Sequence, residues 1–133
     1  DVDGATSSAL LCRFLAAIGV PLRIYIPDRM TEGYGPNLPA LLKLRGEGVR
    51  VVVTVDCGTT AFAALSEAKA LGLDVIVVDH HVAEPALPEA LAVVNPNRFD
   101  ETSLHRQLAA VGVSFLLVVA LNRALRALHA RSP

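Results

Sequence analysis

Cysteine, tryptophan, methionine and charge of one dominant sign are all scarce in this 133-residue chain. Its two cysteines, Cys12 and Cys57, cannot build a disulfide framework, and no Cys-x-x-Cys or Cys/His ligand spacing is present. Both absences argue against a secreted disulfide scaffold and a thiolate-held structural zinc, and a reducing cytoplasm is the expected compartment. The formal net charge of −1 argues against a module that grips nucleic acid by bulk charge, while leaving room for a local basic channel. Charged residues make up 19% and form no block of one sign, which argues against extended disorder. The longest apolar stretch, Leu108 to Leu121, is about 14 residues and contains Gly112 and Ser114. That is short of the ~20 residues a membrane-spanning helix needs, so a buried core helix and no membrane contact are expected.

The sequence is instead rich in Ala, Val and Leu, with hydrophobic residues at 53% and aromatics at 5%. Its length suits one domain with an ordinary core. Apolar residues at helical spacing predict a helix over Ala5–Ile18, closed at Gly19. Shorter helices are expected over Leu38–Leu44 and Phe62–Leu71, and a helical run from Ser103 to about His129, broken near Gly112. Short apolar runs predict strands over Arg23–Ile26, Val49–Val55, Val75–Val78 and Leu91–Val94. Strands apolar on both faces, alternating with helices, predict an α/β fold with a parallel sheet flanked by helices on both faces. The chain opens directly on Asp1-Val2-Asp3-Gly4, which reads as a functional loop with its first strand upstream.

The polar residues that interrupt this pattern fall together. Asp56 follows the strand Val49–Val55, and Asp79, His80 and His81 follow Val75–Val78. Asp1 and Asp3 are expected in the loop before the first helix. All three groups map to the carboxyl edge of the sheet, where ligands bind in open α/β folds. Carboxylates gathered in one place repel unless a cation joins them. Oxygen-rich ligation with histidine suits Mn²⁺ or Mg²⁺, and the number of carboxylates suggests two ions bridged by a shared Asp. An Asp-x-Asp-Gly sequence is alone often just a capping turn, and an Asp after a strand often just a helix entry. Asp-His-His after a buried strand is harder to explain structurally. Cys57 reads as a small buried residue beside the site, Cys12 as helix core, and His105 and His129 as surface residues without a role.

Asp1-Val2-Asp3-Gly4-Ala5-Thr6-Ser7, Thr54-Val55-Asp56-Cys57-Gly58 and Asp79-His80-His81 together resemble the motifs of the DHH phosphoesterase superfamily. Tyr25-Ile26-Pro27-Asp28-Arg29 followed by Glu32-Gly33-Tyr34-Gly35-Pro36-Asn37 resembles its RecJ-type exonucleases more specifically, as do Asn95-Pro96-Asn97 and Ala110-Val111-Gly112-Val113-Ser114-Phe115. The resemblance runs in order along essentially the whole chain. It implies a Rossmann-like three-layer DHH domain over 1–133, incomplete at both ends. The first strand with a preceding acidic residue, a later Asp ligand and the second, substrate-gripping domain would lie outside it.

The resemblance also implies roles. Asp1 would ligate one metal ion and Asp3 the other, Asp56 would bridge them, and His80 would be a further ligand. His81 would contact the phosphate, and Asp79 would orient a histidine. Thr6 and Ser7, with the helix N-terminus behind Gly4, would face an anion. Arg29 and Tyr34 are candidates for substrate contact, through phosphate and base stacking. The implied activity is 5′→3′ hydrolysis of single-stranded DNA by two Mn²⁺ or Mg²⁺ ions, in DNA repair and recombination, with the isolated chain expected to be inactive. The rival readings are another DHH phosphoesterase (an oligoribonuclease, a cyclic-dinucleotide phosphodiesterase or a manganese pyrophosphatase) and a DHH scaffold without catalysis.

Overall fold

The computed structural model describes residues 1–130, so the last three positions of the expected domain, 131–133, lie outside the described residues. The elements run α1 (Val2–Ala17), α2 (Leu38–Gly46), β1 (Val51–Val55), α3 (Phe62–Ala70), β2 (Asp74–Val78), β3 (Ala92–Val94) and α4 (Ala110–His129). The three strands form one parallel sheet in the order β1-β2-β3. The register pairs Val51 with Asp74 through Val55 with Val78, so β1 and β2 end at the same level. Asp56 and Asp79 therefore leave the sheet side by side, as the apolar runs predict.

Alternation along β2 sends Val75 and Val77 to one face and Ile76 and Val78 to the other. Val75 and Val77 join Leu41 of α2, Leu65 and Ala68 of α3, and Leu73 in the main buried cluster. On the other face α1 packs along α4, and the two helices touch β1 and β2 respectively. The sheet thus lies between helical layers, as expected from sequence. Asn37 starts α2 by accepting the Ala40 N–H on its side-chain oxygen at 2.9 Å.

Five expectations need correction. The first helix begins at Val2, not Ala5, so Asp1 is its N-cap and Asp3 sits in its first turn. Arg23–Ile26 is not a strand. It finds no ladder partner among the described residues and is held by side chains instead. Arg23 pairs with Glu47, the Tyr25 hydroxyl reaches Glu32 at 2.6 Å, and Lys43 lies 5.8 Å from the Tyr25 ring.

The last helix starts at Ala110, not Ser103. Before it, the Glu101 carboxylate accepts the Thr102 and Ser103 N–H groups, both at 2.9 Å, and the Ser103 hydroxyl accepts that of His105 at 3.1 Å. Such local bonds compete with helix formation. Gly112 does not break α4 but lies in its first turn. A Cβ there would meet the Leu108 side chain at 3.1 Å, so glycine lets the incoming loop cross close to the helix.

Nor is α4 a buried core helix. Only Ala110, Val113 and Ser114 are buried in it, whereas Phe115, Leu116, Val119 and Leu121 are exposed. The helix packs one stripe against α1 and presents the rest outward. At 20 residues it is long and apolar enough to cross a membrane by length and composition, which the 14-residue apolar stretch alone did not indicate.

Candidate metal centre

The β1–α3 connection turns sharply to present Asp56. This residue has φ 61°, the left-handed region, and no other non-glycine residue among those described has a positive φ. Two backbone bonds hold it there: its N–H donates to Val78 O and its carbonyl accepts from the Tyr34 hydroxyl, each at 3.0 Å. Gly58 completes the turn at φ 111°, and a Cβ on it would lie 2.7 Å from Thr54 Oγ1. Asp56 is consequently buried, with its carboxylate aimed across the sheet edge.

Asp56 Oδ1 lies 3.2 Å from His80 Nε2, and Asp3 Oδ2 lies 3.7 Å from the same nitrogen. The other ring nitrogen, Nδ1, is 3.1 Å from Leu108 O. A carbonyl only accepts, so Nδ1 carries a proton, and Nε2 is the ring atom turned toward the carboxylates. His81 is oriented in the same way by a different partner, its Nδ1 donating to Asp79 Oδ1 at 2.7 Å. Asp56, His80 and His81 each bring one ligand atom to within 4.8 Å of the others. One ring nitrogen of each histidine beside the Asp56 carboxylate forms a donor set that a cation would complete. Its hard oxygen and borderline nitrogen atoms suit Mn²⁺ or Mg²⁺.

Asp79 is the buried hub behind the histidines. Besides the His81 ring, Oδ1 accepts the His80 N–H at 2.8 Å and the His81 N–H at 3.3 Å, and Oδ2 accepts the Thr59 N–H at 3.1 Å. Burial by itself raises the pKa of this carboxyl. The hydrogen bonds from His81, Thr59 and His80 outweigh it and hold the group below its ordinary value. Asp79 therefore stays ionised and orients His81, which identifies the histidine that the sequence left open.

Asp1 and Asp56 flank Gly4. Asp1 Oδ1 caps the helix by accepting the Gly4 N–H at 3.1 Å. A Cβ on Gly4 would lie 3.7 Å from that oxygen and 3.8 Å from Asp56 Oδ2. The first turn of α1 thus sits beside Asp56, with Asp3 near His80 and Asp1 Oδ1 engaged in the cap.

Thr6 and Ser7 do not join them. Thr6 is exposed, and its hydroxyl donates back into its own helix, to Val2 O at 2.7 Å and Asp3 O at 3.2 Å. Ser7 is fully buried, and its hydroxyl has no hydrogen-bond partner among the described residues. One helical turn below the cap, both face the wrong way to meet an anion at the helix start.

Arg29 and Tyr34 form the rim. The guanidinium lies 5.5 Å from the Tyr34 ring centroid, and that ring meets His81 edge-on at 6.5 Å. Tyr34 keeps 62% of its surface exposed at this rim. Cys57 is partly buried beside the site; burial first, then the charges of Asp79 and Asp56, push its thiol pKa up to about 12. The thiol stays protonated near neutral pH and is not a nucleophile. His105 is exposed, and His129 bonds back to Leu125 O at 2.8 Å.

Sequence reasoning missed the residues that hold this site from behind, namely Thr59, Asn95 and Asn97. Asn95 Nδ2 bonds Thr59 Oγ1 at 2.9 Å and His81 O at 2.8 Å, and Asn97 Nδ2 bonds His80 O at 2.6 Å. The Asn95-Pro96-Asn97 stretch was visible as a motif, but nothing local in it pointed to the histidines.

Comparison with known proteins places this geometry in context. Residues 1–131 match the DHH family, N-terminal domain. The chain is 42% identical over 121 residues to the single-stranded-DNA-specific exonuclease RecJ of Bacillus subtilis, covering 91% of this chain and 15% of that protein. It is 39% identical over 127 residues to the RecJ exonuclease of Escherichia coli, covering 95% of this chain and 22% of that protein. A crystal structure of exonuclease RecJ bound to manganese superposes with a TM-score of 0.81 at 38% identity, covering 94% of this chain and 31% of that one. RecJ from Thermus thermophilus in complex with Mn²⁺ gives a TM-score of 0.74 at 35% identity, over 94% of this chain and 17% of that one. The chain thus spans less than a third of the length of each of these proteins.

Proposed function

The chain belongs to the DHH family, and we propose that it is the DHH domain of a RecJ-type nuclease, a 5′→3′ exonuclease specific for single-stranded DNA. One observation carries the metal site at its centre. His80 Nε2 stands 3.2 Å from Asp56 Oδ1 and 3.7 Å from Asp3 Oδ2, while Leu108 O holds the other nitrogen of the ring. The likeness to RecJ exonucleases, two of whose structures contain manganese, supports the substrate and the metal.

Asp1 would hold one divalent ion, Asp3 and His80 the other, and Asp56 would lie between them. When bound, a Mn²⁺ or Mg²⁺ pair polarises the phosphoryl group and makes water a competent nucleophile. The chain's own residues supply orientation and charge. Asp79 keeps the His81 ring fixed with Nε2 facing the site, where it would meet a phosphate oxygen. The low thiol acidity of Cys57 leaves phosphodiester attack to water. Arg29 would meet a backbone phosphate, and Tyr34 would stack on a base at the open rim. The free cysteines fit a reducing cytoplasm. We take α4 to be covered by protein rather than lipid, because its inner stripe packs along α1.

The test uses intact protein, freed of metal and then supplied with manganese, on a 5′-phosphorylated single strand, a duplex, a short oligoribonucleotide, a cyclic dinucleotide and pyrophosphate. Release of 5′-mononucleotides from the single strand alone is the expected result. Preference for one of the last three substrates would reassign the protein within its family. No turnover of any of them by a manganese-loaded protein would mark it as a scaffold.

A further inference from the structure

We propose that Asn95 and Asn97 are positioning residues that clamp the backbone of the two histidines, each amide holding one histidine carbonyl. Asn97 Nδ2 donates to His80 O at 2.6 Å and to Arg106 O at 3.2 Å. Asn95 Nδ2 donates to His81 O at 2.8 Å and to Thr59 Oγ1 at 2.9 Å. Each amide thereby spends its donors on the histidine backbone and on one further anchor. Asn95 Oδ1 accepts the Asn97 N–H at 2.8 Å, which locks the two side chains into one unit. Pro96 between them has a fixed φ and no N–H to satisfy, so the spacing of the amides is rigid.

The second anchor of each amide gives the clamp its reach. Arg106 lies two residues before Leu108, whose carbonyl fixes the His80 ring at 3.1 Å. Asn97 thus holds both the backbone of His80 and the segment that orients its ring. Thr59 donates its N–H to Asp79 Oδ2, and Asp79 orients the His81 ring. Asn95 therefore holds both the backbone of His81 and the support of its orienting carboxylate. Only an amide can do this. A carboxylate is acceptor-only and would face two carbonyls at position 97 and the His81 carbonyl at position 95, and an apolar residue would leave those carbonyls without these donors. Beyond the end of β3, these two residues set where Nε2 of each histidine points.

The decisive variant is Asn97→Asp, near-isosteric but without the donors, with Asn97→Ala read in the same way if the first does not fold. Arg98→Ala is the control. Arg98 anchors the same loop through Val93 O at 2.8 Å and Asp100 without touching either histidine. Nitrogen-15 spectra of the metal-free intact protein should show the His80 Nδ1–H as a single, exchange-protected resonance, held by Leu108 O, in the parent and Arg98→Ala proteins. In the Asn97 variant that resonance should broaden and lose its protection. Manganese affinity, which rests on the metal reading above, should fall about 10–100-fold in the Asn97 variant alone.

An unchanged His80 spectrum in a folded Asn97 variant overturns the clamp, whatever the metal does. An equal change in Arg98→Ala overturns it too, by showing a general loop effect. A parent protein that binds no manganese sinks the metal reading, while the spectra still decide the clamp.

Discussion

The Tyr34 hydroxyl donates to the carbonyl of Asp56 at 3.0 Å, tying an exposed rim residue to the one non-glycine residue that the described chain holds at positive φ. Asp and Asn tolerate the left-handed region better than most residues, and a second constraint is still needed to make it the resting state. Tyr34 and the Val78 carbonyl provide that constraint from opposite sides of the turn.

Tyr34→Phe should therefore loosen the Asp56 turn while keeping the ring for stacking. The expected cost is about 0.5–1 kcal/mol of stability, at the low end for a hydrogen bond because the ring is largely exposed. Chemical denaturation reads this directly. On single-stranded DNA, kcat should fall more than KM rises, whereas Tyr34→Ala should also raise KM.

Asp56→Asn should abolish manganese-dependent hydrolysis and leave the fold intact, because Asn tolerates the same φ. Asp56→Ala should lose activity equally and be about 1 kcal/mol less stable than the Asn variant, since alanine has no local side-chain bonding to offset the left-handed geometry. Calorimetric titration with manganese, paired with thermal melts, separates the two effects. Undiminished activity in either variant would remove Asp56 from the metal site.

Gly58→Ala should be among the most damaging single substitutions in this turn. The added Cβ meets Thr54 Oγ1 at 2.7 Å and both Val77 methyl groups at 3.3 Å, at a φ of 111°. Backbone strain and overpacking add to about 2–4 kcal/mol. Urea unfolding of the variant measures it, and a loss under 0.5 kcal/mol would mean that the turn has another conformation available.

Asp79 gives the site a signature in acid. Its folded pKa lies below the ordinary 3.8 because its hydrogen-bond donors outweigh burial. A depressed carboxyl contributes stability that is fully present above its unfolded pKa and is lost as pH falls through the folded value. In EDTA, the parent protein should thus lose stability below about pH 4, where Asp79→Asn should show a flatter slope. Melting curves between pH 2 and 6 compare the two, and parallel slopes would show that Asp79 does not carry this dependence.

Much of this protein is legible along the chain. The apolar runs Val49–Val55 and Val75–Val78 read as strands and are found as Val51–Val55 and Asp74–Val78, and alternation with helices makes the sheet parallel. Once the sheet is parallel, Asp56 and Asp79-His80-His81 must emerge at one edge, because strand ends align by register. These conclusions need only local periodicity and the fixed geometry of the backbone.

Other features depend on partners far away in the chain. Arg23–Ile26 has the composition of a strand but no ladder neighbour among the described residues, and composition cannot report a neighbour. Leu108–Leu121 looks like core, yet only the stripe that meets α1 is buried, because burial depends on how many elements surround a helix. Thr6 and Ser7 stand at promising positions, but the helix turn that carries them points their hydroxyls elsewhere.

Above all, the direction of each imidazole was not in the sequence. Asp79 takes the His81 ring, Leu108 takes that of His80, and Asn95 and Asn97 hold the backbone of both. The residues and their strand-end placement follow from short-range patterning. Which nitrogen faces the metal site is set by hydrogen bonds spanning as many as 28 positions, and those exist only after the chain has folded.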